Sequence, residues 1–334
     1  MTSTLDKCKP IFAIKRGSTR EMVIHGWAGF SYVAKQKLHK EMLAGTELNS
    51  QIIARSLLKP WQFWATGFAV GEATPELALG VASQSAQDHQ LTALKTLQQH
   101  AHVDPQLLKC PASMPMDRSS SERLRREGTP KNRQFHPCAG KHSFALASCL
   151  KHNWSTEDYL DPQHPLQQKL RQLLGNILNC PSDSIVWETD SCGLPSARLS
   201  MDQHLTLWHE LASSQKSEAV LIRKLWRQYP EYIGGHGRLD TEIVIASKHC
   251  VMSKEGADGL LVVQDTTSES FQGSLVKIAS GYQSTYMALA TLAVLKKYEF
   301  RLSESMKALK SYLEARAEPG REWISHDQSF EILL

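Results

Sequence analysis

The sequence has no long hydrophobic run, which argues against a helical membrane protein. No segment approaches the ~20 consecutive apolar residues that a membrane helix requires. The polar N-terminus also has no hydrophobic core of signal-peptide length. We therefore expect a soluble protein of the cytoplasm without a membrane partner.

Paired cysteines are also missing. The chain has 7 cysteines, an odd number with uneven spacing, whereas a secreted disulfide framework usually has an even number. No C-x-x-C pair typical of a structural zinc module occurs. Most of these cysteines fit the ordinary role of a small buried hydrophobic residue.

The sequence has little net charge of one sign. Its formal charge is +4, and the densest basic run, residues 118–133, is interrupted by Glu122 and Glu127. Such a run predicts a solvated helix and loop, and we expect no nucleic-acid partner. Internal repeats and low-complexity tracts are absent as well, so the 334 residues are predicted to form one large domain.

The distribution of residue types predicts an α+β fold. Stretches rich in Val, Ile and aromatics predict strands near the two ends of the chain, at 11–15, 21–29, 241–246, 259–264 and 274–279. Helical spacing or strong helix formers predict helices at 56–70, 75–83, 87–102, 119–126, 139–152, 166–178, 201–212, 218–228 and 282–299. We therefore expect one catalytic domain, 1–334, in which an antiparallel sheet from both termini forms one lobe and a helical block, roughly 56–230, forms the other. A cleft between the lobes is the expected place for a site.

Two cysteines stand out because turn-forming or charged residues surround them. Cys138 precedes Ala139-Gly140-Lys141, and Cys192 lies in Asp190-Ser191-Cys192-Gly193. If Ala139 begins a helix, Cys138 and Lys141 leave the same face about one turn apart. A second cysteine-bearing turn above them then predicts a small polar site that does chemistry or holds a metal.

A serine and a lysine with one-turn spacing predict nucleophilic catalysis. In Ser56-Leu57-Leu58-Lys59, a deprotonated lysine can accept the serine proton. The same spacing recurs at Ser148, Ser213 and Ser274, so spacing alone is weak evidence.

Three further segments are candidates, each with an ordinary alternative. Ser83 ends an apolar helix, where its hydroxyl can simply bond the local backbone. Lys254 is predicted in a turn between strands, where it can simply lie in solvent. The segment Gly234–Asp240 combines flexible backbone with opposite charges, which suits binding both ends of a zwitterion, but an ordinary loop has the same composition.

The chain resembles the asparaginase II family, the thermolabile type first described from rhizobia. The matching blocks run in family order from about residue 11 to residue 300: Arg16-Gly17 with Glu21 and His25, Arg55-Ser56-x-x-Lys59-Pro60, Glu76–Leu79 leading to Ala82-Ser83, Cys138-Ala139-Gly140-Lys141-His142, Asp190-x-Cys192-Gly193-Leu194-Pro195, Pro230-Glu231-Tyr232-x-x-Gly235 with Arg238 and Asp240-Thr241, and Lys254-x-Gly256-Ala257-x-Gly259. Where the family often has Ala-Ser-His-Ser-Gly-Glu, this chain has Ala82–Gln87, Ala-Ser-Gln-Ser-Ala-Gln.

The resemblance implies a serine β-lactamase-like fold and hydrolysis of L-asparagine to L-aspartate and ammonia. It implies two catalytic Ser-Lys pairs, Ser56 with Lys59 and Ser83 with Lys254. It also implies a zinc ion held by Cys138, Lys141 and Cys192. We further assign substrate binding to the following residues of the matching blocks: Arg55, His142, Asp190, Gly234, Gly235, Arg238 and Asp240.

The mechanism expected from these residues begins with Ser56 attacking the side-chain amide to form an acyl-enzyme, which water hydrolyses. Lysine serves as base only if burial and a second nearby cation lower its pKa. Ser83 would relay a proton or bind the oxyanion, although the sequence does not decide which serine is attacked. The zinc is expected to position the substrate, because lysine must lose a proton before it coordinates.

Other functions stay open at this point. One is a related acyl hydrolase acting on glutamine, a β-aspartyl peptide or a lactam. Another is a catalytically silent protein that binds asparagine, which the histidine and acid missing after Ser83 motivate. For each of these we expect a small-molecule ligand and a homodimer.

Overall fold

A computed structural model describes residues 7–267 and 270–334 of the chain. The strands, in chain order, are β1 (Lys9–Arg16), β2 (Thr19–Ala34), β3 (Lys37–Ala44), β4 (Gln51–Ile53), β5 (Val186–Thr189), β6 (Pro195–Ser200), β7 (Val251–Gly256), β8 (Leu260–Asp265), β9 (Gly273–Ile278) and β10 (Gln328–Ile332). The α-helices are α1 (Lys59–Ala65), α2 (Pro75–Ala78), α3 (Asp88–His100), α4 (Arg118–Arg126), α5 (Ala139–His152), α6 (Pro165–Leu178), α7 (Met201–Ser213), α8 (Ser217–Gln228), α9 (Pro230–Ile233), α10 (Leu239–Ala246), α11 (Ser284–Lys297) and α12 (Glu304–Ala317).

The chain divides into two compact units. Of the described residues, the first unit contains 7–57, 199–213, 242–267 and 270–334, and the second contains 58–198 and 214–241. Antiparallel strands with helices confirm the predicted α+β class. The described residues include no helix that is both long and apolar enough to span a membrane.

The first unit is built on an antiparallel sheet with strands from both ends of the chain, as predicted. Its order is β10-β1-β2-β9-β8-β7, and β3 also pairs with β2. The long strand β2 pairs with β9 from Gly26, opposite Ile278, to Ser31, opposite Gly273. A side chain at Gly26 would lie 2.1 Å from the Lys277 carbonyl oxygen, so this close strand pairing needs glycine.

Helices cover both faces of that sheet. Gly29 faces Met201 and Leu205 of α7, whereas its neighbour Phe30 stacks on Tyr298, which follows α11, at a ring distance of 4.1 Å. Adjacent strand residues point to opposite faces, so α7 and the end of α11 lie on opposite sides of the sheet. Burial on both faces explains why β7 and β8 are buried throughout.

The second unit is mainly helical, with α5 at its centre. Residues Ala139–Cys149 of α5 are all buried, and the helix packs against α1, α3 and α6. Phe144 of α5 contacts Phe63 of α1 edge-on at a ring distance of 4.8 Å. Burying each such aromatic side chain contributes about 2 to 3 kcal/mol.

Several sequence predictions of local structure are wrong. Residues 241–246 were expected to form a strand because they are β-branched, but α10 covers them, with Ile243 and Val244 buried and Ile245 exposed. The helices predicted at 56–70 and 75–83 end earlier, at Ala65 and Ala78. Lys254 lies on β7 within the sheet, not in a turn, and it is fully buried.

Candidate active site

The N-terminus of α5 carries the first cysteine block. Cys138 occupies the N-cap position and the helix begins at Ala139, which confirms that Cys138 and Lys141 are one turn apart. Gly140 lets this helix end approach the residues after α2, because a side chain there would lie 2.3 Å from the Leu79 carbonyl oxygen. The approach places the cysteine block beside the segment that leads to Ser83.

The second cysteine block joins the first. The Cys192 thiol interacts with the Cys138 sulfur, and this interaction is the main reason why the pKa of Cys138 lies well below its usual value. Burial opposes that shift, and the positive charges of Lys59 and Lys141 add to it. The same interaction, together with burial, raises the pKa of Cys192. These shifts favour one thiolate in the pair, on Cys138, hydrogen-bonded by the thiol of Cys192.

Lys141 is the counter-ion of this thiolate. Its side chain is buried and donates to the Gln62 side-chain oxygen at 3.2 Å. Burial alone lowers the pKa of Lys141, but electrostatic interactions with Cys192, Cys138 and Asp190 outweigh burial and raise it. The three residues predicted to hold zinc thus lie together in the second unit.

Lys59 links the cysteine blocks to Ser83. Its amine, at the start of α1, is completely buried and contacts the backbone carbonyls of Ala82 and Pro137, the latter at 3.2 Å. The amine nitrogen also lies 2.9 Å from Ser83 Oγ. The sequence paired Lys59 with Ser56 and Ser83 with Lys254, so the contact between Lys59 and Ser83 is one that it did not predict.

The partners of Lys59 suit a proton transfer. A carbonyl oxygen only accepts hydrogen bonds, so both carbonyls take N–H donors from the amine in either protonation state. A neutral amine that donates to these two carbonyls has its lone pair left for the Ser83 hydroxyl proton. An ammonium instead donates to Ser83 Oγ. Proton exchange between Lys59 and Ser83 therefore needs no rearrangement of the surrounding backbone.

Three predicted residues belong to the first unit. Arg55 has a left-handed backbone, with φ of +50°, and its guanidinium forms an ion pair with Asp258 at 2.5 Å. Ser56 follows it and is half-buried in a 3₁₀ turn, Arg55–Leu58, that runs directly into α1. Lys254 donates to the Glu255 carbonyl at 3.1 Å. Backbone strain in non-glycine residues often occurs at functional sites, and Arg55 lies beside a candidate nucleophile.

His142 is fully buried and neutral. Its Nδ1 lies 2.7 Å from the Tyr159 hydroxyl, which accepts a hydrogen bond from the Lys109 N–H at 2.9 Å. Nδ1 and the Tyr159 hydroxyl share one hydrogen bond, and the histidine tautomer determines which of them donates. Burial and the Lys141 charge lower the pKa of His142 to about 3. No sequence signal marked Tyr159, because nothing in the local pattern shows that its hydroxyl orients a histidine 17 residues away.

Asp190 is also buried beside the cysteine blocks. Its carboxylate accepts the Ser191 N–H at 2.8 Å, and its backbone N–H donates to the Leu194 carbonyl at 2.9 Å. These bonds close the tight turn that presents Cys192.

The predicted zwitterion-binding segment packs on the residues after Ser83. Ser85 Oγ donates to the Gly234 carbonyl at 2.8 Å. Arg238 Nη1 lies 3.5 Å from Ser85 Oγ. Gly235 has φ of +115°, and a side chain there would lie 2.9 Å from Ser85 Oγ. Asp240 is buried and accepts the Thr241 N–H at 3.1 Å, so it also holds local backbone.

The described residues contain no group of three or more His, Cys, Asp or Glu side chains arranged to hold a metal. The predicted zinc ligands include only two residues of these four types, Cys138 and Cys192, because the third ligand is Lys141. These three side chains interact directly, and one is already a thiolate, which is the form that binds zinc. The donor set therefore fits a metal ion.

Comparison with protein families gives one match. The model of the family described as L-asparaginase II matches residues 14–323, nearly the whole chain. A comparison with curated proteins found no match.

Proposed function

Since the chain belongs to the L-asparaginase II family, we propose that it hydrolyses the side-chain amide of L-asparagine to L-aspartate and ammonia. Family membership indicates a hydrolase that acts on amides. The observation that carries the finer proposal is the buried amine of Lys59, 2.9 Å from Ser83 Oγ and beside the Cys138 thiolate. A buried serine and lysine in contact are the parts needed for nucleophilic attack on an amide.

The proposed reaction uses a serine as nucleophile and Lys59 as its base. The serine oxygen attacks the amide carbon while its proton passes to the lysine amine, and the lysine then gives that proton to the leaving ammonia. Water attacks the resulting ester with the lysine again as base, and the lysine returns the proton to the departing serine oxygen as aspartate is released.

Two serines are candidates for the nucleophile. Ser56 is proposed from its spacing to Lys59, with Ser83 as proton relay. Ser83 is the second candidate, and its contact with Lys59 favours it. Lys254, a fully buried lysine on β7, is proposed as the second catalytic lysine. Mass spectrometry of the enzyme quenched during turnover identifies the acylated serine.

A zinc ion is proposed at Cys138, Lys141 and Cys192. Bound there, it would supply positive charge that orients the substrate and polarises its carbonyl group. Without the metal, Lys141 neutralises the Cys138 thiolate. With the metal bound, the Cys192 thiol and the Lys141 ammonium must lose their protons, so metal binding releases protons.

Substrate binding is proposed for Arg238 with Gly234, Gly235 and Asp240, and for Arg55, His142 and Asp190. Arg238 is suited to the α-carboxylate, because a guanidinium forms paired hydrogen bonds with a carboxylate. We also propose a serine β-lactamase-like fold, a homodimer and a cytoplasmic location; the α+β class is consistent with the first of these.

The experiment that tests the function is ammonia release from purified protein. L-asparagine, L-glutamine, a β-aspartyl dipeptide and a chromogenic lactam are offered separately. Hydrolysis of the dipeptide is followed by the amino acid released and that of the lactam by its colour change, because neither yields ammonia. Ammonia and aspartate in equal amounts from L-asparagine support the proposal. Turnover of another substrate alone identifies a related hydrolase, and binding of asparagine without turnover identifies a silent binding protein.

A further inference from the structure

The side chain of Gln87 forms two hydrogen bonds with the predicted substrate-binding segment, and the proposed mechanism gives Gln87 no role. Its side-chain Oε1 accepts the His236 N–H at 2.8 Å, and its Nε2 donates to the His236 carbonyl at 3.2 Å. The one side-chain amide therefore binds both backbone groups of the residue between Gly235 and Gly237.

The same amide is also anchored away from that segment. Nε2 donates to Asp117 Oδ1 at 3.1 Å, and Gln87 is the N-cap of α3, where its side chain accepts a hydrogen bond from the backbone of Gln90. Asp117 is in turn fixed as the N-cap of α4 and accepts the Ser120 N–H at 2.8 Å. The ends of two helices thus hold Gln87 in place.

Asp117 is a carboxylate in this network. Burial alone would raise the pKa of Asp117, but hydrogen bonds from Ser120, Ser119 and Gln87 outweigh burial and lower it. An ionised carboxylate only accepts hydrogen bonds, and so does the His236 carbonyl. The Asp117 carboxylate and the His236 carbonyl each accept a hydrogen bond from the Gln87 side-chain amide, which has two N–H donors.

Flexible backbone makes this anchoring matter. Gly235 and Gly237 both have positive φ, at +115° and +77°, so little in the segment itself fixes its conformation. The segment leads directly to Arg238, whose guanidinium reaches Ser85 Oγ. Anchoring the backbone at His236 therefore fixes the backbone position from which the Arg238 side chain extends.

We propose that Gln87 is a positioning residue that orders the segment Gly234–Arg238 for binding a free α-amino acid. This inference rests on the proposed function, because that function makes the segment the binding site.

Gln87→Glu is the sharpest test, since it keeps the size of the side chain and removes only the donors. At pH 8 we expect the KM for L-asparagine to rise about tenfold or more, because the new carboxylate is repelled by Asp117 and no longer donates to the His236 carbonyl. We expect kcat to change little, because substrate binding is lost equally in ground and transition states.

The pH dependence separates positioning from simple damage. Repulsion by Asp117 raises the pKa of the new carboxyl group, so lowering the pH from 8 to 5 protonates it and restores one donor. The KM ratio between the variant and the parent should then fall. Adding Asp117→Asn should also lower the ratio at pH 8, because Asn donates to the new carboxylate and still caps α4.

The control is Gln99→Glu, the same substitution at an exposed position of α3. Its KM and pH profile should match those of the parent. Equal KM values for Gln87→Glu and the parent at pH 8, or a KM ratio that pH and Asp117→Asn leave unchanged, would overturn the proposal.

Hydrogen exchange tests the ordering without any substrate. In Gln87→Glu at pH 8, the backbone amides of residues 235–238 should exchange at least about tenfold faster than in the parent, because repulsion by Asp117 displaces the new carboxylate and the His236 carbonyl loses its donor. If the single variant does not fold, the comparison is made between the double variant and Asp117→Asn. A parent that releases no ammonia refutes the proposed function, whereas unchanged exchange at 235–238 refutes the role of Gln87.

Discussion

The amine nitrogen of Lys59 lies 2.9 Å from Ser83 Oγ, although the two residues are 24 positions apart. The contact arises because α1 begins at Lys59 with its side chain buried, and because the segment after α2 passes beside it. We expect Ser83→Ala to lower kcat for L-asparagine by a factor of about 100 or more, the usual contribution of a positioned proton-transfer group.

Ser148→Ala is the matched control for this variant. Ser148 is fully buried on α5, and its hydroxyl has no hydrogen-bond partner among the described residues, so its removal should leave kcat unchanged. Ser56→Ala is measured alongside, because Ser56 is the other candidate nucleophile. A Ser83→Ala variant with the parent's kcat would show that the contact with Lys59 has no role in the reaction.

Metal content should depend on the two interacting cysteines. We expect purified protein to retain about one zinc ion per chain, and Cys138→Ser or Cys192→Ser to lose it, because thiolates supply most of the affinity. Cys149→Ser is the control, since Cys149 is buried on the same helix. Elemental analysis measures the ratio. Stoichiometric zinc in a double Cys138→Ser, Cys192→Ser variant would contradict the assignment.

Ala86 should be a source of backbone strain. It is fully buried with φ of +59°, a region in which a side chain costs about 1 to 2 kcal/mol. We expect Ala86→Gly to raise the free energy of unfolding by up to about 1 kcal/mol, after the greater flexibility of glycine in the unfolded chain is subtracted.

Urea denaturation measures that change, and Ala145→Gly provides the comparison. Ala145 is buried in the interior of α5, where glycine should lower the free energy of unfolding by about 1 kcal/mol. If both substitutions destabilise the protein equally, the left-handed backbone at Ala86 is not strained.

Stability should fall in mild acid because of His204. This histidine is buried on α7, and burial lowers its pKa to about 4, from about 6.5 in the unfolded chain. A lowered folded-state pKa leaves stability complete above about pH 6.5 and removes it as the pH falls towards 4. Between pH 6 and 4.5 this group should contribute a loss approaching 1.4 kcal/mol per pH unit.

His204→Gln should reduce the slope of the unfolding free energy against pH by the contribution of about one bound proton. Unfolding free energies at several pH values give the slope directly, whatever the variant's overall stability. His100→Gln, at an exposed position of α3, is the control and should keep the parent's slope. Equal slopes for His204→Gln and the parent would rule out His204 as the titrating group.

The sequence predicted the α+β class and most long helices because their patterns are local. α5 begins at Ala139 and ends at His152, as predicted, since its apolar positions repeat with helical spacing. Residues 241–246 were misassigned because a short β-branched run fits a strand or a buried helix equally well. The edge strand β10 depends on pairing with β1 at the other end of the chain, which no local pattern shows.

The candidate site was predictable in composition but not in its contacts. The cysteine blocks and Lys141 could be found because their neighbours are unusual for a core. The partner of Lys59 could not, since it depends on how the segments before Ser83 and Cys138 pack around one amine. The roles of Tyr159 and Gln87 also depend on long-range hydrogen bonds, to His142 and His236.

Ammonia release from L-asparagine by the purified protein, followed together with aspartate, tests the central proposal most directly. The account predicts continuous release of both products in equal amounts, and loss of release in Lys59→Met because the proton acceptor is gone. Absence of ammonia from L-asparagine with the folded parent protein, or an undiminished rate in Lys59→Met, would contradict it.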